Sequence, residues 1–197
     1  MTIPKRIIIL AAGSSERLGQ PKQLLPFRGR SLIMHSVMEA NKALDAPPVV
    51  VVGGYEEQVR KELADTRTDI IFNPDWSTGM ASSIRTGLVH AMKEPGLEAA
   101  MIVLCDQPFV TSPLMTEMFS LQLQSGKPII ACIYADGTMG TPVLYHRTIF
   151  SELLHLTGHE GARKILRSRP ERVVTVDFPL GAIDVDTMED YKNLEVN

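Results

Sequence analysis

The sequence is short of cysteine, of long apolar runs and of basic excess, and each shortage removes a class of protein. Only two cysteines, Cys105 and Cys132, occur in 197 residues. Both sit inside apolar, strand-like runs, so they read as reduced packing thiols rather than a disulfide framework. A thiol in such surroundings stays protonated, which argues against cysteine nucleophilic chemistry. The longest apolar runs, such as Val49–Val52 and Ala99–Cys105, are strand-sized, far below the ~18 residues needed to span a bilayer. Met1–Arg6 lacks the apolar core and small-residue cleavage site of a secretory signal. The expectation is a cytoplasmic protein without membrane association. With 20 Lys+Arg against 23 Asp+Glu, the net charge is −3, which argues against a nucleic-acid binder. A local cationic cluster for one phosphorylated ligand stays open. Of the histidines, His35, His90, His146, His155 and His159, only the pair His155 and His159 has helical spacing. Gly158 interrupts that pair, so no zinc set is expected.

What is present is an ordinary globular composition, 44% apolar and 22% charged, in which strands alternate with helices. Arg6–Leu10, Val49–Val52, Asp69–Phe72, Ala99–Cys105 and Val173–Val176 read as apolar strands. Ser31–Ala43, Glu56–Leu63, Met80–Met92, Leu114–Leu123 and Met188–Leu194 read as helices, and Phe150–Leu154 and Ala162–Arg167 as two short ones. Pro128–Tyr134 and Thr141–Tyr145 flank Asp136-Gly137, a hairpin signal. Continuous apolar strands between helices imply an α/β fold. The expected form is a single doubly wound, mostly parallel sheet with helices on both faces and one antiparallel excursion. No linker, repeat or composition shift divides the chain, so residues 1–197 are expected to form one domain.

Ligands in such sheets bind beyond the carboxyl ends of the strands. The first such end is Leu10-Ala11-Ala12-Gly13-Ser14-Ser15-Glu16-Arg17-Leu18-Gly19-Gln20-Pro21-Lys22. About 20 residues separate this strand from the helix at Ser31, long for a connection in an α/β unit. Gly13 and Gly19 let the backbone turn, neighbouring amides can form an anion nest, and Arg17 and Lys22 can neutralise phosphate oxygens. The spacing matches neither a Walker loop nor G-x-G-x-x-G; an ordinary surface loop is the competing reading. The second end is Cys105-Asp106-Gln107-Pro108, where an acid leaves the core directly after an apolar strand. Such a carboxylate can share a Mg²⁺ ion with substrate phosphates, or merely start a turn. The third, Asp184-Val185-Asp186-Thr187-Met188-Glu189-Asp190, offers a second metal carboxylate in Asp186. Asp186 with Glu189 also resembles a capping box. The fourth, Asn73–Arg85, opens a helix among small residues and could bring exposed amides to an anion, or simply be capped by Ser77 or Thr78.

Taken together and in order, these motifs resemble the molybdenum cofactor cytidylyltransferase family, nucleotidyltransferases of the glycosyltransferase-A-like fold. The resemblance runs from Ile7 to Tyr191. It rests on Leu10–Gly19 with Lys22-Gln23-Leu24-Leu25-Pro26, on Gly79–Arg85, Cys105–Pro108, Gly140–Tyr145, Gly161-Ala162-Arg163 and Asp184–Thr187. It implies transfer of CMP from CTP to the molybdopterin form of the molybdenum cofactor, with release of pyrophosphate and a requirement for Mg²⁺. It implies nucleotide binding by Leu10, Ala11, Ala12, Gly13, Ser14, Ser15, Arg17, Lys22, Gly79, Met80, Ser82, Ser83 and Asp106. Arg17, Lys22 and Asp106 would serve catalysis, and Asp106 and Asp186 would hold Mg²⁺. Gln107, Thr141, Pro142, His159 and Arg163 would lie on the acceptor side. Ala12, where guanylyl-transferring relatives carry Gly, and the segment Thr141–Tyr145 imply a preference for CTP over GTP. A molybdenum hydroxylase is the implied recipient of the product. One departure stands out. The family's Gly-Asp-x-Gly-Ala-Arg is here Gly158-His159-Glu160-Gly161-Ala162-Arg163, so His159 replaces an acid. Alternatives are a related nucleotidyltransferase using GTP or a sugar phosphate, and a non-catalytic maturation factor for a xanthine-dehydrogenase-like enzyme.

Overall fold

The computed structural model describes residues 3–158 and 163–194. The chain runs β1 (Lys5–Ala11), β2 (Pro26–Phe27), β3 (Arg30–Ser31), α1 (Leu32–Ala43), β4 (Val49–Val52), α2 (Glu56–Glu62), β5 (Asp69–Phe72) and α3 (Met80–Ala91). It continues through β6 (Ala99–Leu104), α4 (Ser112–Ser125), β7 (Ile129–Ile133), β8 (Met139–His146), α5 (Phe150–Leu154), α6 (Arg163–Ser168), β9 (Val173–Asp177) and α7 (Met188–Leu194).

Seven of these strands form one sheet in the order β5-β4-β1-β6-β8-β7-β9. β5, β4, β1 and β6 pair in parallel, as do β7 and β9. β8 runs antiparallel to both of its neighbours, and it is the expected excursion. The strands carry apolar residues without alternation because both faces are covered. Ile7, Ile9 and Ala11 of β1 join a core with α1, α2 and α4, while Ile8, Leu10 and Ala12 join one with α3 and α5. All four valines of β4 are fully buried.

Local chemistry sets the helix ends. The Ser31 hydroxyl accepts from the Met34 amide at 3.1 Å and caps α1. α4 is longer at both ends than the apolar spacing predicts. Pro113 sits in its first turn, and Gly126, at φ 63°, closes it in the left-handed region.

Two features position the site. From β1 the chain winds outward through β4 and β5, then returns to place β6 on the other side of β1. The carboxyl ends of β1 and β6 therefore flank the point where strand order reverses, which is the natural crevice of such a sheet. The small hairpin β2–β3, absent from the sequence reading, covers a third apolar cluster. Phe27 packs there with Leu18, Leu25, Leu32, Val185 and Leu194, so the hairpin, the loop after β1 and α7 share one core.

Candidate active site

The loop after β1 is folded by its own polar groups. Ser15 and Gly19 take left-handed conformations, at φ 53° and 66°. The Ser15 carbonyl accepts from the amides of Leu18 and Gly19 at 3.0 and 3.2 Å. The Ser15 hydroxyl accepts from the Lys22 amide at 3.1 Å. Gly13, expected to help turn the chain, is not left-handed; among the described residues nothing stands within 4 Å of where its Cβ would be, so it leaves open space instead. Gln23, fully buried, donates from Nε2 to the carbonyls of Ala11 (2.9 Å) and Gly13 (3.0 Å) and ties the loop's two ends together. Gln23 belongs to the Lys22–Pro26 motif but has no role that sequence alone assigns; its only signal is its place directly after Lys22.

Lys22 collects the acids. Its Nζ lies 2.5 Å from Asp106 Oδ2 and 2.9 Å from Asp186 Oδ1. The Arg17 guanidinium, largely exposed, reaches Asp186 Oδ2 at 2.6 Å. Asp186 comes here because the Val185 amide donates to the Asp106 carbonyl at 3.0 Å, laying the segment before α7 alongside the end of β6. The capping box sits one residue later than the sequence suggested. Thr187 and Asp190 exchange its bonds: the Thr187 amide donates to Asp190 Oδ2 at 2.7 Å, and the Asp190 amide to Thr187 Oγ1 at 3.2 Å. The Asp186 carboxylate is thereby left to Lys22 and Arg17. Burial opposes the charged form of Lys22, but Asp106 and Asp186 overcome it and raise its pKa. Burial also opposes ionised Asp186, yet Lys22 and Arg17 hold its carboxyl below the usual value. Asp184 is raised by burial and by the facing charges of Asp106 and Asp186. Asp106 Oδ1 is buried and has no hydrogen-bond partner among the described residues.

The segment between β5 and α3 forms another wall. Asn73 is buried and fixes it, donating to Ser82 Oγ at 2.9 Å and Ser83 Oγ at 3.0 Å and accepting from the Asp75 amide at 3.0 Å. The Ser82 hydroxyl in turn donates toward the Gly79 carbonyl at 2.8 Å. Trp76 lies across Gly53 and Gly54, which follow β4. A Cβ on Gly53 would stand 2.5 Å from the Ala12 carbonyl and 2.7 Å from Trp76 Cγ, so only glycine permits this approach.

These walls enclose a cleft of about 550 Å³ at the carboxyl ends of β1 and β6. Of the residues singled out from sequence, it brings together Leu10 to Ser14, Arg17, Lys22, Gly79, Met80, Ser83 and Asp106. Ser15 and Ser82 stand behind the wall as loop braces. Gln107 is buried, with Nε2 donating to Tyr134 Oη (3.0 Å) and the Gly181 carbonyl (2.7 Å), and Tyr134 donates to the Thr141 carbonyl at 2.7 Å. Thr141 and Pro142 occupy the register shift of β8 against β7, near this bracket. His159 and the side chain of Arg163 lie outside the described residues. A second groove, of about 500 Å³, is lined by Lys5, Gln122 and Lys127 and contains none of these groups.

Comparison with known proteins agrees with this architecture. Nicotine blue oxidoreductase of Paenarthrobacter nicotinovorans is 31% identical, over 95% of this chain and 94% of its own length. Molybdenum cofactor cytidylyltransferase of Escherichia coli (strain K12) is 24% identical, over 93% of this chain and 92% of its own. The crystal structure of Rv0371c from Mycobacterium tuberculosis H37Rv superposes with a TM-score of 0.87 at 33% identity, covering 100% of both chains. That protein has also been solved in complex with manganese. Residues 7–173 match the MobA-like NTP transferase domain, and with the loop, the acids and the strand-reversal cleft in place, the chain belongs to this family of nucleotidyltransferases.

Proposed function

We propose that the protein transfers CMP from CTP to the terminal phosphate of the molybdopterin form of the molybdenum cofactor, releasing pyrophosphate, and that residues 1–197 act as one catalytic domain. The observation that carries this reading is Lys22, held between Asp106 and Asp186 beside the open space at Gly13. A phosphate loop, two carboxylates and two cations at one strand-reversal cleft suit a triphosphate. The relationship to the cytidylyltransferase, together with Ala12, supports CTP as the nucleotide.

The residues fit a divalent cation such as Mg²⁺. Asp106 Oδ1 is a buried carboxylate oxygen without a partner among the described residues, and Asp186 stands across Lys22 from it. Among the described residues no cluster of three His, Cys, Asp or Glu side chains converges. Two carboxylates with phosphate oxygens and water suit Mg²⁺ better than an all-protein cage. When bound, such an ion polarises phosphoryl oxygens as a Lewis acid.

The chain's own part is positioning and charge balance. The loop from Ala11 to Ser14 receives the phosphates, and Lys22 and Arg17 offset their charge. An acceptor phosphate oxygen attacks the α-phosphorus, forming the new P–O bond. The bond to the β-phosphate bridging oxygen breaks in line, and its electron pair leaves with pyrophosphate. No protein nucleophile is required, consistent with both cysteines being buried thiols.

The test is pyrophosphate release from CTP and from GTP, each with the molybdenum cofactor as acceptor. CTP should be preferred by roughly 10–200-fold, the range that one misfit group supplies. Asp106→Asn should abolish turnover with the circular dichroism spectrum retained. Equal use of both nucleotides overturns the cytidylyl reading, and full activity in Asp106→Asn removes Asp106 from the site.

A further inference from the structure

The cleft has a charged region, around Lys22, Arg17 and the acids, and one aromatic side chain among the described residues that line it, Trp76. The indole is seated on bare backbone. The positions that Cβ atoms would take on Gly53 and Gly54 lie 2.7 Å from Trp76 Cγ and 3.4 Å from Trp76 Cη2. The same glycines face the loop after β1: the Gly53 position is 2.5 Å from the Ala12 carbonyl, and the Gly54 position 3.8 Å from Ser14 Cα. The ring is packed against the core on the α3 side of the sheet, and its orientation is therefore set before any ligand arrives. Among the described residues its Nε1–H has no hydrogen-bond partner. Met80, an exposed and adaptable thioether, lines the same cleft.

We propose that Trp76 is the base-positioning surface of the cleft, receiving the base and ribose of the nucleotide while Lys22 and Arg17 receive its phosphates. This rests on the nucleotide reading given above. An aromatic face stacks on any base, and a free indole N–H donates to a base carbonyl or a ribose hydroxyl. The cationic groups, by contrast, interact with phosphate whatever base it carries. The Gly53-Gly54 pair is then explained by more than a turn: it brings the ring close enough to Ala12 and Ser14 for one nucleotide to touch both.

Trp76 is the only tryptophan in the chain, so its own emission reports on the cleft. The experiment titrates the protein with CTP and with inorganic tripolyphosphate, following tryptophan fluorescence and calorimetry in parallel. CTP should change the emission and tripolyphosphate should not. Trp76→Ala should weaken CTP binding by roughly 10-fold and leave tripolyphosphate binding within about twofold, and Trp76→Phe should recover most of the loss. CTP binding by calorimetry with unchanged emission, or equal weakening of both ligands in Trp76→Ala, overturns the proposal and leaves the nucleotide reading standing. Failure of CTP to bind at all overturns both. Should Trp76→Ala not fold, the wild-type emission and Trp76→Phe still decide.

Discussion

Remove the ammonium of Lys22, and Asp106 and Asp186 face each other with Arg17 as their remaining cation. Lys22 is mostly buried, 13% exposed at the side chain, so water offsets little of that loss. Lys22→Ala should therefore cost roughly 3 kcal/mol of stability as well as transfer activity, the scale for breaking a buried pair. Lys42→Ala is the comparison. Lys42 pairs with Glu39 from an exposed position, and Glu39 keeps the Ser112 amide at 2.8 Å, so its loss should cost under about 1 kcal/mol. Urea titrations of the two variants check the difference. The cysteines make a second residue-scale prediction. Burial pushes both thiols up to about 12, helped by Asp106 at Cys105 and by Glu117 at Cys132. At pH 8 a thiol reagent should leave both unmodified until the protein is unfolded. Legibility at this scale was uneven. Asp106 and Asp186 could be singled out as candidate site acids, because each sits in a short motif. Their meeting through Lys22 could not, because those contacts join residues 84 and 164 positions apart. The true capping pair, Thr187 and Asp190, was hidden by a competing match one residue away.

Elements were more legible than residues, because periodicity is a local signal. The valine run of β4 and the apolar run of β6 announce strands buried on both faces, and both lie where expected. The β2–β3 hairpin was missed for a specific reason. Its tip is Arg28-Gly29, with φ of 48° and 81°, and an arginine in the left-handed region is not a turn signal that sequence offers. Its Phe27 and the Tyr191 hydroxyl, which donates to the Pro26 carbonyl at 2.8 Å, hold it to α7. The loop after β1 depends on another single side chain. Gln23→Ala deletes both bonds to Ala11 and Gly13 and leaves the buried Ala11 carbonyl without its side-chain donor. The expected effect is a loss of roughly 1–3 kcal/mol, with nucleotide binding weakened because the loop is no longer tied. Parallel thermal melts and calorimetry with CTP measure the two effects separately; unchanged values in both would show that the brace is dispensable.

For the whole molecule, the alternation of strand and helix implied a doubly wound sheet, and that is the architecture. The order of strands was not legible, since nothing local says that β8 inserts between β6 and β7. Global stability should carry the mark of His35, buried on α1 next to the Pro108 segment that follows Asp106. Burial lowers its pKa; Glu39 and the Pro108 carbonyl oppose this, and Arg30 and Arg28 reinforce it. Above the ordinary value of 6.5, folded and unfolded chains both keep His35 neutral, and no stability is lost. Below it the unfolded chain takes up the proton first, so stability falls as pH drops from there through the lowered folded value. Glu39 has the same sign. Burial works against its charge, but Lys42 and Ser112 prevail and lower its pKa, so its contribution is lost below about 4.5. Urea titrations at pH 8, 6 and 5 should show falling stability, and His35→Asn should flatten the upper part of that fall. An unaltered slope would assign it to other groups.

The bridges from Arg17 to Asp186 and from Tyr191 to Pro26 span 169 and 165 positions of sequence. A ribosome makes the loop after β1 and the β2–β3 hairpin well before the acid and the tyrosine that fasten them. The parallel strands β5, β4, β1 and β6 can associate while that clasp is still unsynthesised, because none of their pairings requires it. The nascent chain thus acquires a sheet well before it acquires a finished cleft, which waits for the segment that carries Asp186 and Tyr191.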